Sequence, residues 1–505
     1  MTVLAARARG AQTDDPELLL RALDQRLTVA ARTLRVPGHE EVPADDRPGA
    51  AAAQLLQPLL THAGDAGDDV RWLVLTAVGA ALPTAQEIVD LRRALASTPV
   101  RHLATALLES LLTEPGRGRP DLPLDLVAGG VVVDVDFSAR NDIHTGIHRV
   151  VRETVPRWAR RHEVAPVAWV DQYSAFRRLA PAEEDRVLRF GQDLPPADAS
   201  GYSPRLVVPW RSTVVLPDVP NGDAAEHLAA LAQYSGNRLS LIGYDMIPIT
   251  SAETRPAHDA VVFGQYLSVV KHAWRVAGIS RSATTEFAGF ADAVAAQGLP
   301  GPAVREVRLV EDAPPAGSAR PAGTRPRVLC VASREPHKNQ RAVLHAAERL
   351  WRAGLDFELE LIGGPGWSDA VLAPAIVRAR AAGRPLVDSG RVSDEYLWSA
   401  LRGAAFTVFV SLHEGYGLPL ADSLACGTPA VTSDFGSQLE IAEGGGCLTV
   451  DPRDDGAITD AMRRLLTEPA TLAALRAEAA ARPRRTWEEY ADELWEVLVA
   501  EGGDR

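Results

Sequence analysis

The chain has 505 residues and a formal net charge of −13, with 46% apolar and 24% charged residues. This length predicts about three domains, at roughly 150 residues each, and the composition excludes disordered and fibrous proteins. The excess of negative charge argues against a nucleic-acid partner but leaves room for a local basic pocket.

Cysteine usage and the absence of targeting patterns suggest the compartment. Cys330, Cys426 and Cys447 are odd in number and widely spaced, so they predict neither a disulfide framework nor a metal site. We expect a reducing cytoplasm. No signal-peptide pattern and no run of about 18 apolar residues is present. An amphipathic helix leaves a weaker signal, so peripheral contact with the inner face of a membrane stays open.

Residues 1–123 predict an all-α N-terminal domain. The segments ELLLRALDQRLTVAARTLRV and AQEIVDLRRALASTPVRHLATALLESLL are rich in Ala and Leu and poor in β-branched runs. The piece EPGRGRPDLP then marks a boundary, because Pro and Gly end helices and strands. A helical domain of this kind is expected to act as a scaffold or to dock a partner, without chemistry of its own.

Residues 124–310 predict a first α/β domain. Strand patterns occur in GGVVVDVDF, VAPVAWV, RLVVP, TVVLP and LSLIG, and helical patterns in IHRVVRETVPRWARR and FGQYLSVVKHAWRVA. This alternation is typical of a parallel sheet with helices on its faces.

Residues 311–326 predict a linker, because they are rich in Pro, Ala and Gly without apolar periodicity. A second α/β domain follows over residues 327–483, with strands RVLCVA, FELELIGG, AFTVFVS and PAVTS. Residues 484–505 form a last helix and tail. Two doubly wound, Rossmann-like domains place a ligand cleft between the carboxyl ends of their strands.

The stretch SLHEGYGLPLADSLACGTPAV, which follows AFTVFV, carries the most chemical information. Pro419 suits the first turn of a helix and Gly427 suits its end. Glu414 therefore lies just before a short helix, and Asp422 lies within it. Glycines in the turn let the backbone approach a ligand while the helix N-terminus offers N–H groups to an anion. The alternative is a plain strand–turn–helix with a solvated acid.

The string EGYGLPLADSLACGTPAVTSDFGSQLE resembles the donor-site motif of glycosyltransferase family 4, in which two Glu residues frame a nucleotide sugar. The resemblance covers about residues 131–500 and implies a GT-B fold, a retaining reaction and a nucleoside-diphosphate sugar as donor. It also implies that the terminal helix crosses back to the first α/β domain. Glu414 would hold the sugar and Asp422 the ribose. The donor-binding backbone is expected to include Gly415, Tyr416, Gly417 and Leu418. Asp422 departs from the family pattern, because it is one methylene shorter than Glu.

Upstream, VASREPHKNQRAVLHAAERL resembles the strand-to-helix turn at which a basic residue of this family meets the donor diphosphate. Lys338 is the first candidate for this catalytic role and Arg334 the second, since fixed positive charge stabilises a leaving diphosphate. LIGGPGW resembles a Gly-rich loop of the family and adds Gly364 to the donor-binding residues. The alternative for Lys338 is a solvated residue at a helix start.

In the first α/β domain, DFSARNDIHTGIHRVVRE resembles the family's first strand–loop–helix, where a glycine lets donor phosphates and acceptor approach. Gly146 would take this part, with Thr145 and Arg149 beside it. An ordinary helix N-cap at Thr145 is the alternative.

The stretch LIGYDMIPI resembles a family element that usually reads His-Asp, and Tyr244 stands at the position of the His. Asp245 follows a strand, so it is a catalytic candidate that orients or deprotonates the acceptor hydroxyl. A structural Asp that caps a turn is the alternative. No His pair or His–acid cluster has metal-ligand spacing, so neither a metal nor a cofactor is expected.

The sequence therefore predicts a retaining, metal-independent hexosyltransferase. It would move a hexose or deoxyhexose, mannose- or rhamnose-like, from a nucleoside-diphosphate donor onto a glycan or lipid-linked acceptor in polysaccharide or glycoconjugate synthesis. Two alternatives stay open: a non-catalytic protein that binds nucleotide sugars or aids assembly, and an epimerase or phosphorylase of the same fold.

Overall fold

The computed structural model describes residues 15–37, 47–113, 118–141, 145–192, 195, 197–315, 325–367 and 369–500. Most of the predicted linker, residues 316–324, lies outside the described residues. The helices are α1 (Pro16–Leu34), α2 (Ala50–Asp65), α3 (Asp68–Gly79), α4 (Ala85–Ser97), α5 (Val100–Thr113), α6 (Asp136–Arg140), α7 (Gly146–Arg161), α8 (Pro181–Leu188), α9 (Ala225–Tyr234), α10 (Ile247–Thr250), α11 (Asp259–Val270), α12 (Arg281–Val294), α13 (Gln340–Arg352), α14 (Asp369–Ala381), α15 (Asp394–Gly403), α16 (Leu418–Ala425), α17 (Gly436–Ala442), α18 (Asp455–Thr467), α19 (Pro469–Ala480) and α20 (Trp487–Leu498).

The strands build two sheets. They are β1 (Leu124–Ala128), β2 (Val131–Asp134), β3 (Val164–Trp169), β4 (Phe176–Arg178), β5 (Leu206–Trp210), β6 (Thr213–Leu216), β7 (Arg238–Gly243), β8 (Arg275–Gly278), β9 (Ala303–Glu306), β10 (Arg327–Val331), β11 (Glu358–Ile362), β12 (Leu386–Gly390), β13 (Phe406–Phe409), β14 (Ala430–Ser433) and β15 (Cys447–Val450).

The first sheet has the order β1-β5-β4-β3-β2-β6-β7-β8-β9 within the described residues. Its pairs are parallel except where β4 joins β3 and β5 in antiparallel register. The second sheet has the order β12-β11-β10-β13-β14-β15, and all of its pairs are parallel. Buried runs of Val, Leu and Phe favour such sheets, because helices cover both faces. The predicted class, two doubly wound α/β domains preceded by helices, is confirmed.

One segment differs from the sequence prediction. FGQYLSVVKHAWRVA was expected to be helical throughout, but α11 ends at Val270 and Arg275–Gly278 forms β8. The apolar residues of this run satisfy both a helix and a buried strand, which short apolar patterns do not distinguish. The strand is favoured over a longer helix because it pairs with both β7 and β9.

The N-terminal helices share a hydrophobic core with the first sheet. Leu59 and Trp72 of the bundle belong to the same buried cluster as Val208 of β5 and Leu228 of α9. Arg26, which is fully buried in α1, donates to the carbonyl oxygens of Ala77, Pro120 and Leu122, at 2.8, 2.6 and 2.9 Å. One face of the bundle is therefore used for packing against the α/β domain.

Helix α20 returns to the first domain, as the family resemblance implies. It packs against α7, where Trp158 donates its indole N–H to the carbonyl of Ala491 at 2.8 Å. The hydroxyl of Ser240 in β7 donates to the carbonyl of Leu498 at 2.9 Å. The helix thus ties the end of the chain to the sheet that faces the second domain.

Candidate functional site

The segment between β13 and α16 forms the centre of the candidate site. Gly417 is the N-cap of α16 with φ +109°, a conformation that favours glycine, and Pro419 lies in the first turn. Gly427 follows the helix with φ +72°. The predicted placement is confirmed: Glu414 precedes the helix and Asp422 lies within it. Pro419 has no N–H, and the N–H groups of Leu420 and Ala421 donate to the carbonyl of Gly417 at 3.0 and 3.1 Å, so the anion-binding capacity of this end comes mainly from the helix dipole.

Lys338 and Glu414 form an ion pair in this centre. Lys338 ends the 3-10 turn Pro336–Lys338 after β10, and its Nζ lies 2.9 and 2.8 Å from the two carboxylate oxygens of Glu414. Both side chains are largely buried. Burial lowers the pKa of Lys338, but Glu414, together with Glu335 and Asp245, raises it, and the net pKa is raised. Lys338 is thus a fixed positive charge beside the start of α16.

Arg149 and Asp422 form a second ion pair, which joins the two domains. Nη1 of Arg149 lies 3.0 and 2.9 Å from the two carboxylate oxygens of Asp422. The guanidinium carbon also lies 5.3 Å from the ring centroid of Trp398 and 5.5 Å from that of Trp487. Burial raises the pKa of Asp422, and Arg149 opposes this shift. The structure therefore brings both predicted residues together, with the acid facing a cation.

The start of α7 approaches the same centre. A Cβ added to Gly146 would lie 3.2 Å from Cδ1 of Leu418, so only a residue without a side chain fits there without a shift. Thr145 occupies the N-cap position without a capping hydrogen bond from its side chain. Its hydroxyl instead lies 2.8 Å from Nδ1 of His148. The start of α7 thus packs closely against the side chain of Leu418 at the N-terminus of α16.

Arg334 and Gly364 lie together on the second domain, but the structure gives Arg334 other partners than the Lys338–Glu414 pair. Its guanidinium donates to Asp388 at 2.6 Å and to Asp369. Its backbone N–H donates to the carbonyl of Gly364 at 3.2 Å. A Cβ on Gly364 would lie 3.6 Å from Nε of Arg391, which is ordinary contact. In this arrangement Arg334 stabilises the Gly-rich loop.

Gly415 and Tyr416 make contacts between the domains. A Cβ on Gly415 would come within 2.1 Å of the carbonyl oxygen of Tyr244 in the first domain. The buried hydroxyl of Tyr416 donates to the carbonyl of Leu309 at 3.1 Å. Both residues thus lie at the junction of the two domains.

Asp245 follows β7 and has the geometry of a turn cap. Its Oδ1 accepts the backbone N–H of Ile247 at 3.0 Å. Burial raises its pKa, and nearby Glu286 raises it further, while His413 and Lys338 oppose the shift. This geometry fits a structural turn cap, and it also allows Asp245 to act on the acceptor hydroxyl, because a carboxyl with a raised pKa can exchange a proton.

The sequence prediction missed a cluster of three side chains beside Glu414. Nδ1 of His413 lies 2.7 Å from the hydroxyl oxygen of Ser251, and its Nε2 lies 3.1 Å from Oε1 of Glu286. Ser251 and Glu286 belong to the first domain and His413 to the second. The position of His413 directly before Glu414 was the available signal, but its partners are distant in sequence.

These residues line a cavity of about 570 Å³ between the domains, together with Glu414. Among the described residues, no group of three or more His, Cys, Asp or Glu side chains is arranged to hold a metal ion. No described helix is both long and apolar enough to cross a membrane.

Known sequences are similar to this chain mainly in the second domain. Residues 317–482 match the family model described as Glycosyl transferases group 1. O-antigen chain mannosyltransferase B of Escherichia coli is 36% identical over 134 residues, which cover 26% of this chain and 34% of the relative. GDP-mannose-dependent alpha-(1-6)-phosphatidylinositol monomannoside mannosyltransferase of Mycolicibacterium smegmatis is 28% identical over 250 residues, which cover 46% of this chain and 60% of the relative. The chain thus spans only part of the relatives that it matches.

Solved structures share the fold at low identity. HepE of Anabaena, in complex with UDP and glucose, has a TM-score of 0.50 at 13% identity, covering 73% of this chain and 99% of HepE. The alpha,alpha-trehalose 6-phosphate synthase of Burkholderia multivorans also has a TM-score of 0.50, at 14% identity, covering 74% of this chain and 96% of the synthase. The fold is GT-B, as predicted. The group 1 domain and the mannosyltransferase relatives support an enzyme of the glycosyltransferase class.

Proposed function

We propose that this chain is a retaining glycosyltransferase of family 4. It transfers a hexose or deoxyhexose from a nucleoside-diphosphate sugar to a glycan or lipid-linked acceptor in polysaccharide or glycoconjugate synthesis. The carrying observation is the Lys338–Glu414 pair, which lies at the start of α16 within the domain that matches the group 1 family. The donor sugar is mannose-like, a choice supported by relatives that are mannosyltransferases.

The arrangement of charge suits a nucleoside diphosphate. Lys338 and the positive end of the α16 dipole stabilise the diphosphate, because a helix N-terminus and a fixed cation both favour negative charge. Glu414 accepts hydrogen bonds from the sugar hydroxyls, and a carboxylate has lone pairs for these in addition to the Lys338 contact. Arg334 supports the Gly-rich loop beside them.

The reaction breaks the bond between the anomeric carbon and the diphosphate oxygen and forms a bond from that carbon to an acceptor oxygen. The acceptor's proton passes to the departing diphosphate, on the same face of the sugar, and the configuration is retained. Lys338 lowers the barrier by stabilising the charge that develops on the diphosphate. Asp245 orients the acceptor hydroxyl: it lies beside the turn that follows Glu414, because a Cβ on Gly415 would be 3.1 Å from Cβ of Asp245.

The contacts between the domains serve the same chemistry. Gly415 and Tyr416 bring the two domains into direct contact at the start of α16. A closed cleft excludes water, which would otherwise hydrolyse the activated donor. No bound cofactor is needed for this reaction, and the enzyme works on the cytoplasmic side, where nucleotide sugars are available.

Two measurements test this function. Calorimetry with a panel of GDP-, UDP- and dTDP-sugars measures donor binding. Transfer of a radiolabelled sugar from the donor that binds measures activity, and NMR of the product gives the configuration at the anomeric carbon. We expect one donor to bind and its sugar to be transferred with retention. Inversion would overturn the retaining mechanism.

The second candidate is a nucleotide-sugar binding protein without transferase activity. The observation that favours it is Arg149, which occupies both oxygens of the acid expected to hold the ribose. The same panel separates the two functions: donor binding without transfer to any cellular glycan or lipid fraction would favour the binding protein.

A further inference from the structure

The cavity between the domains has walls from both of them. The first domain contributes Ser251, Thr285 and Glu286, and the second contributes His413, Glu414 and Phe435. Its volume of about 570 Å³ falls within the range of roughly 300–1,000 Å³ that holds small ligands. The cavity therefore adjoins Glu414, the residue proposed to hold the donor sugar.

Hydrogen bonds fix the polar groups of this wall in place. Glu286 accepts the N–H of Met246 at 3.0 Å and the hydroxyl of Thr250 at 3.0 Å, in addition to its contact with His413. Ser251 is held against the other nitrogen of the same imidazole. A wall that is held in this way presents its groups at fixed positions, which favours a specific ligand over bulk water.

The charges along the described wall are matched within the protein. Arg281 pairs with Glu443 at 3.0 Å, and Glu440 accepts the N–H groups of Arg281 and Ser282 at 2.9 and 2.7 Å. Glu286 pairs with His413, and Glu414 pairs with Lys338. Arg453, the other arginine of the wall, lies 3.8 Å from Asp451 and over the ring of Phe435. The carboxylates of Glu286, Glu414, Glu440 and Glu443 outnumber these two arginines, so the wall disfavours an anion and favours a neutral ligand with many hydroxyl groups.

We propose that this cavity binds the acceptor as a neutral saccharide, whose hydroxyl groups bond to Ser251, Thr285 and Glu286 next to Glu414. The inference rests on the proposed function and specifies its acceptor site. The saccharide enters the cavity between α12 and the loop before α17, and its reactive hydroxyl faces the donor sugar held at Glu414.

His413 positions Ser251 for this contact. Its Nδ1 lies 2.7 Å from the hydroxyl oxygen of Ser251 and its Nε2 lies 3.1 Å from Oε1 of Glu286, so one imidazole contacts both residues of the wall. Burial lowers the pKa of His413, but Glu286 and smaller effects of Asp245 and Glu414 raise it, and the net pKa is raised. The Ser251 hydroxyl is thereby held at a fixed position on the wall.

The test uses the full chain and a side chain that fills the cavity. Thr285 is exposed, so Thr285→Trp narrows the entrance without disturbing the core. Asp292→Trp is the matched control, because Asp292 is exposed two turns further along α12 and does not line the cavity. Saturation-transfer NMR measures binding of methyl α-D-mannoside, α-D-glucoside, α-D-galactoside and α-L-rhamnoside in the presence of GDP or UDP. Calorimetry measures donor binding by each variant.

We expect at least one glycoside to bind the wild type, and Thr285→Trp to weaken that binding by about tenfold or more while donor affinity changes by less than about twofold. Retained donor affinity also shows that the variant is folded. Asp292→Trp should change neither. Unchanged glycoside binding by Thr285→Trp, or no glycoside bound to a wild type that binds its donor, would overturn the acceptor site alone. Failure of the wild type to bind any donor would overturn the proposed function and this inference with it.

Discussion

Arg149, in α7 of the first domain, donates to both carboxylate oxygens of Asp422, in α16 of the second domain, at 3.0 and 2.9 Å. The acid expected to hold the donor ribose is therefore also a contact between the domains. A ribose that reaches Asp422 must share the carboxylate with the guanidinium, which lies near the rings of Trp398 and Trp487. Donor binding and domain contact are linked through this one side chain.

The first prediction concerns the loss of this partner. Arg149→Ala leaves Asp422 buried without its cation, and we expect the free energy of unfolding to fall by about 3 kcal/mol. Adding Asp422→Asn should recover part of the loss, because the unpaired charge is removed. Urea denaturation measures both variants. Arg160→Ala, at an exposed position of the same helix, is the control and should have little effect. Additive losses in the double variant would show that the two residues do not interact.

The second prediction concerns the length of the acid. Asp422→Glu places the carboxylate about one methylene further into the cleft, where it can keep Arg149 and meet the ribose. We expect nucleotide-diphosphate affinity to stay equal or rise by up to about tenfold, or roughly 1.4 kcal/mol. Calorimetry with the bare nucleotide isolates this contact from the sugar. A loss of folding, seen by circular dichroism, would instead mark Asp422 as a packed structural acid.

The local geometry of this site was predictable from the sequence. A buried strand, a glycine turn and Pro419 at the first helical turn are short-range signals, and they placed Glu414 and Asp422 correctly around α16. The two-domain architecture also followed from alternating strands and helices. Such signals lie within a few residues of one another, so one sequence suffices to read them.

The contacts between domains were not predictable in the same way. Arg149 and Asp422 are 273 positions apart, and His413 and Ser251 are 162 apart. These contacts form only when the two folded domains pack together, and a local sequence pattern contains no information on that packing. The orientation of Tyr416 has the same origin: its backbone lies in the motif, but its side chain packs toward Leu309 because the first domain is there.

The third prediction concerns Lys338. Lys338→Ala removes the fixed charge and leaves Glu414 without its cation, so we expect turnover to fall by about 100-fold or more and donor affinity to weaken. Lys338→Arg should retain part of the activity, since the charge persists with a different shape. Initial rates at saturating donor measure the effect, with Lys271→Ala, which does not line the cavity, as the control. Unchanged donor affinity and turnover in Lys338→Ala would remove Lys338 from the proposed site.

The fourth prediction concerns the close approach of the domains at Gly415. A Cβ at this position would lie 2.1 Å from the carbonyl oxygen of Tyr244, so Gly415→Ala forces the domains apart or the turn to shift. We expect transfer to fall and a cost of about 1–3 kcal/mol in the free energy of unfolding. Gly289→Ala is the control: it lies in α12 with nothing within 4 Å, and should stabilise the protein by about 0.5–1 kcal/mol. Full activity of Gly415→Ala would mean that close contact between the domains is not required.

The last prediction is a pH dependence that originates at Asp134, the last residue of β2. Burial raises the pKa of Asp134 to about 8, and the neighbouring carboxyl of Asp136 adds to the shift. Between pH about 4 and 8 the folded chain therefore holds a proton that the unfolded chain releases. The free energy of unfolding should fall as pH rises through this window, by up to about 1.4 kcal/mol per pH unit from this group.

In the wild type, the indole N–H of Trp169 donates to the carboxyl of Asp134 at 2.8 Å. Asp134→Asn removes the titration and keeps an oxygen that can accept this hydrogen bond. Any hydrogen bond lost in the variant costs the same at every pH, so the decisive readout is the slope of stability against pH. We expect a shallower slope between pH 5 and 8, measured by urea denaturation at each pH, with Asp292→Asn as the exposed control. An unchanged slope would show that Asp134 is ionised in the folded protein and would contradict this prediction.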